Sequence, residues 1–97
     1  MSLKPSPDAQ QTFAPATRLV HAGRDPGEQH GFVNTPIYRG STVLYPTYDA
    51  IKHRRGRYNY GTSATPTMDA LTSAWTELAG AAGTVVTPSG LAALTVA

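Results

Sequence analysis

Cysteine is absent from the sequence, which excludes a disulfide framework and any thiolate metal site within these residues. The absence fits a reducing compartment. Long apolar runs are absent too: none approaches the ~20 residues that a membrane-spanning helix needs. The opening stretch, Met1 to Pro15, is polar and carries no apolar signal-peptide core. Cytoplasm is therefore the expected location, with no membrane partner. Charge of one sign is scarce. Eight Lys and Arg against six Asp and Glu leave a formal charge of +2, too little to imply a nucleic-acid partner. The histidines, His21, His30 and His53, are scattered and lack the i, i+4 pairing of a metal site. Core-forming segments are few in the first half. A chain of 97 residues has room for one small domain at most and buries a modest fraction of its surface.

Gly and Pro are frequent, and they punctuate the chain. Residues 1–15 read as a disordered lead, because Pro5, Pro7 and Pro15 break any period. Residues 16–60 read as an extended arm with a short helix. Within it, residues 17–24 predict one helical turn stopped at Gly23, and Asp25-Pro26-Gly27-Glu28 is a turn signal. The run from Val33 to Pro46 has no helical period, and Pro36 and Pro46 argue against a central strand. An arm lying on another surface is expected there, with its partner outside these residues.

Thr47 is the expected N-cap of a short helix that Gly56 stops. The cations Lys52, His53, Arg54, Arg55 and Arg57 gather at its end. They read either as a solvated helix terminus or as a seat for an anionic group from elsewhere in an assembly. Residues 61–97 read as a polar loop, a helix, a short strand and a tight turn that opens another helix. Thr65, Pro66 and Asp69 mark a helix start, Met68, Leu71, Trp75 and Leu78 form an apolar face expected to pack in a core, and Gly80 and Gly83 end it. A short strand is expected from Thr84 to Thr87, closed by Pro88.

Ser89-Gly90 then turns into a helix-compatible apolar run, Leu91 to Ala97. A strand that ends in a small-residue turn and opens a helix presents free N–H groups, a natural place for a phosphate. A plain tight turn looks the same at this level. A serine-hydrolase elbow is disfavoured, since Ser89 lacks the leading glycine of that motif and no Asp or His follows it. The unpartnered apolar run at the end suggests the opening part of a larger protein.

Four stretches occur in a specific order: Thr-Arg-Leu-Val-His-Ala-Gly-Arg (17–24), Pro-Ile-Tyr-Arg-Gly-Ser-Thr (36–42), Tyr-Asn-Tyr-Gly-Thr-Ser-Ala-Thr-Pro-Thr (58–67) and Pro-Ser-Gly-Leu-Ala-Ala (88–93). In this order the chain resembles the start of the pyridoxal-phosphate enzymes of cysteine and methionine metabolism. The opening stretch and Arg39-Gly40-Ser41 point within that family to the cystathionine β-lyase branch. The resemblance implies a fold-type I α/β large domain with a mostly parallel sheet, of which the arm and first elements are present. It implies pyridoxal 5′-phosphate as cofactor, an amino-acid substrate, and a homo-oligomer, a dimer of dimers. Gly90 and Leu91 match the family's phosphate-binding turn. Tyr60 matches a tyrosine that reaches the cofactor phosphate of the neighbouring subunit. Thr62 stands where the family carries a phosphate-binding arginine; a hydroxyl donates one hydrogen bond but supplies neither the charge nor the bidentate fork. No catalytic residue falls in this stretch, since the family's cofactor-holding lysine, its pyridine-nitrogen aspartate and its ring-stacking aromatic match none of these positions. Another member of the family, a cystathionine γ-synthase, a γ-lyase or an O-acylhomoserine sulfhydrylase, is the rival within the same class; reading the arm and the basic cluster as a non-enzymatic anion-binding or assembly module is the rival from another class.

Overall fold

The computed structural model describes Ser6, Asp8, Ala9 and residues 12–97. The expected disordered lead thus lies largely outside the described residues. Its last residue, Pro15, opens a helix. Helix α1, Pro15–His21, takes Pro15 in its first turn, where a missing N–H costs nothing. It stops where predicted: Gly23 adopts φ +73°. A side chain at Gly23 would also collide with the Ala70 carbonyl of a later helix. Both the positive φ and the close approach require glycine there. A 3-10 turn, Pro26–Gln29, follows.

Helix α2, Tyr48–Lys52, is capped by the Thr47 hydroxyl, which accepts from the Ala50 N–H at 3.1 Å. It ends before Gly56, in a turn where Arg54 takes φ 49°. Helix α3, Pro66–Ala79, is the longest described element. Thr65 caps it by accepting from the Met68 N–H at 3.2 Å, and Gly80 closes it at φ 63°. Helix α4, Gly90–Val96, is capped by Ser89.

Helix α1 packs on α3. Arg18 donates to the Glu77 carbonyl at 3.3 Å and lies 3.8 Å from its carboxylate. The arm is extended, as expected, but its partner lies partly within the chain. The Thr67 hydroxyl accepts from the Tyr38 N–H at 2.8 Å and donates to the Pro36 carbonyl at 2.7 Å. Farther along, Thr42 forms an isolated antiparallel bridge with Tyr60.

Two expectations need correction. Residues 84–87 form no strand. Their β-branched residues suit a pleated ladder, but a ladder needs a second chain segment, and none pairs with them among the described residues. Nor does the apolar face of α3 lie in a core. No described residue is buried, and Leu71, Trp75 and Leu78 are 56%, 64% and 43% exposed. The accessible surface is 7550 Å², whereas a folded monomer of this mass shows about 5,300 Å². Helices form here from local signals, without a core beneath them.

Candidate functional site

The Ser89 hydroxyl accepts from the Ala92 N–H at 3.1 Å, and its carbonyl accepts from the Ala93 N–H at 3.1 Å. The N–H groups of Gly90 and Leu91 have no acceptor among the described hydrogen bonds. This follows from helix geometry, since the first N–H groups of a helix have no carbonyl one turn back. Both residues are exposed. A side chain at Gly90 would meet nothing within 4 Å, and its backbone is not left-handed. Gly90 leaves open space among the described residues, not a special conformation. Two unsatisfied N–H groups beside open space fit an anionic group such as a phosphate monoester. The Ser89 hydroxyl is already engaged as a cap, consistent with rejecting it as a nucleophile.

Tyr60 sits on a turn held from the arm. Beside its bridge to Thr42, Gly61 donates to the Ser41 carbonyl at 2.8 Å. The chains approach so closely that a side chain at Gly61 would overlap the Gly40 carbonyl. Ser63 and Ala64 both donate to the Tyr60 carbonyl, at 3.0 and 3.3 Å. The Tyr60 side chain projects from this frame, 46% exposed. Its phenol has no hydrogen bond among the described residues, and neither has the exposed Thr62 hydroxyl. The structure thus brings Tyr60 and Thr62 together on one turn. No described hydrogen bond or ion pair joins that turn to Gly90 and Leu91.

A cluster that the sequence did not reveal lies beside the turn. Tyr58 donates its phenol proton to Asp69 Oδ2 at 2.7 Å. The Arg57 guanidinium stands 3.6 Å from the same oxygen and 5.3 Å from the Tyr58 ring centre. Arg57 is therefore engaged with α3. Desolvation, then the hydrogen bond to Asp69 and its negative charge, push the Tyr58 phenol up to about 12. The three residues border a cleft of about 370 Å³, whose wall also includes Arg24, Glu28 and Tyr38. Asp69 was legible only as an acidic residue in a helix's first turn; no periodicity links it to an aromatic eleven residues earlier. In the basic cluster, Arg55 and His53 approach Asp49 at 2.7 and 3.4 Å. Among the described residues no group of His, Asp and Glu could hold a metal ion, and no helix is long and apolar enough to cross a membrane.

Comparison with known proteins bears on the same stretches. Residues 16–97 match the family described as Cys/Met metabolism PLP-dependent enzyme. Two proteins named "Putative cystathionine beta-lyase" are similar. The one from Rhizobium johnstonii is 52% identical over 80 residues, covering 82% of this chain and 20% of that protein. The one from Saccharomyces cerevisiae is 47% identical over 85 residues, covering 88% of this chain and 25% of that protein. A cystathionine gamma-synthase of Mycobacterium tuberculosis is 40% identical over 62 residues, covering 64% of this chain and 15% of that protein. The chain thus spans a quarter or less of the length of these relatives. No solved structure matches it significantly. The chain belongs to the Cys/Met metabolism PLP-dependent enzyme family, of fold type I, and pyridoxal phosphate is that family's cofactor.

Proposed function

We propose that this chain serves a pyridoxal-phosphate-dependent carbon–sulfur lyase that converts L-cystathionine and water to homocysteine, pyruvate and ammonia. The observation that carries the substrate choice is the identity to proteins named for cystathionine β-lyase, 52% and 47%, against 40% for the γ-synthase. Pyridoxal phosphate, when bound, supplies an electron sink at the substrate's Cα. The residues of this chain bind and orient its phosphate. Gly90 and Leu91 donate their unsatisfied N–H groups, and the Tyr60 phenol donates from a neighbouring subunit. Thr62 contributes a hydroxyl in place of the family's guanidinium. Charge-assisted hydrogen bonds of this kind are worth roughly 1.5–3 kcal/mol each. The α/β sheet of the large domain, the dimer of dimers and a cytoplasmic location belong to the same reading.

Product analysis of the full-length enzyme decides the substrate. L-Cystathionine should yield homocysteine and pyruvate in equal amounts. The γ-synthase match supports a second reading, in which an O-acylhomoserine and cysteine are joined instead. Cystathionine formation from those two compounds, without pyruvate release from cystathionine, would establish that reading and sink the first.

A further inference from the structure

We infer that Asp69 is a positioning residue for the Tyr60 turn, which rests on the reading that Tyr60 binds the cofactor phosphate. The turn lies against the arm at Ser41 and Thr42 and leads into α3 at Pro66. On the arm side it is fixed by the Thr42–Tyr60 bridge and by the Gly61 N–H on the Ser41 carbonyl at 2.8 Å. On the helix side, its preceding residues Arg57 and Tyr58 both converge on one carboxylate oxygen, Asp69 Oδ2, at 3.6 and 2.7 Å.

Asp69 is well placed for this work. It stands in the first turn of α3, the longest described helix, where its charge complements the dipole. Its own N–H is tied to the Thr65 carbonyl at 3.0 Å, and its carbonyl accepts from the Thr72 hydroxyl at 3.2 Å. Its backbone is thus held, and its side chain transmits that rigidity to residues two and three positions before Tyr60. The Tyr60 phenol has no hydrogen bond of its own among the described residues, so its direction depends on how its backbone is held. A hydrogen bond to a phosphate is sensitive to that direction.

A residue that acts through Tyr60 cannot contribute more than Tyr60 itself. In the full-length enzyme, Tyr60→Phe should weaken pyridoxal phosphate binding by roughly ten- to a hundredfold. Asp69→Ala should weaken it by a smaller factor, about three- to tenfold. The double variant should bind no worse than Tyr60→Phe alone, because the effects of coupled residues do not add. Affinity is read by equilibrium dialysis, independently of turnover, with circular dichroism confirming the fold of each variant. Tyr58→Phe removes the same hydrogen bond and keeps the ring, and it should reproduce the Asp69→Ala loss even where Asp69→Ala fails to fold. Wild-type affinity in Asp69→Ala and Tyr58→Phe, or losses that multiply with Tyr60→Phe, overturns the inference and leaves the Tyr60 reading intact. Wild-type affinity in Tyr60→Phe overturns both.

Discussion

At the scale of single residues, the Tyr58–Asp69 hydrogen bond has a direct optical consequence. The phenol of Tyr58 is pushed up to about 12 by desolvation and by Asp69. A raised value means that the folded state favours the protonated phenol. Its contribution to stability is therefore complete below the ordinary tyrosine range near ~10 and is lost as pH climbs from there toward the folded value. In the full-length enzyme, tyrosinate absorbance should include a step near 12 that disappears in Tyr58→Phe and moves down in Asp69→Asn. A step lost from the ordinary tyrosine range near ~10 in Tyr58→Phe, with no shift in Asp69→Asn, would show that the bond does not form. None of this was legible beforehand, because the contact joins a loop to a helix through geometry and not through a repeating pattern. Around the residues named from the resemblance the geometry is local in origin: Tyr60 and Thr62 share a turn, and the N–H groups of Gly90 and Leu91 have no acceptor among the described hydrogen bonds, features that arise within a few residues of sequence and leave the phosphate role a proposal.

At the scale of elements, local chemistry determines what forms. Thr47, Thr65 and Ser89 all cap their helices through the side-chain oxygen; Thr47 and Thr65 were legible because a cap needs only three following residues, whereas Ser89 read only as part of a turn. Pro15 was misleading: the residue that breaks a helix interior also begins one. Thr84 to Thr87 failed for the opposite reason, since strand propensity without a partner makes no ladder. The helix caps give a measurable expectation. Thr65→Ala should cost α3 about 1 kcal/mol, seen in the full-length enzyme as roughly fivefold faster amide exchange in the first turn, at Met68. Exchange at the parent rate would mean that packing, not the cap, holds that turn.

At the scale of the whole molecule, the lack of any buried residue among the described residues is the dominant fact. Burying apolar area at about 25 cal/mol per Å² is the main force that offsets chain entropy, and here it is largely unrealised. The 97-residue chain by itself should therefore show no cooperative thermal transition, and Trp75, 64% exposed, should emit as a solvated indole. A sharp transition with blue-shifted Trp75 emission would contradict this. In the function proposed above, Tyr60 and Gly90 meet around one phosphate only in the assembly. The most direct test of that phosphate role is the pyridoxal phosphate affinity of Gly90→Val in the full-length enzyme. A side chain at Gly90 meets no atom of this chain within 4 Å, so the fold should be unchanged while the branched group occupies the anion's space. The account predicts an affinity at least about tenfold weaker, the loss of roughly one charge-assisted hydrogen bond, with the parent's thermal stability. A folded Gly90→Val enzyme that holds the cofactor as tightly as the parent would contradict it.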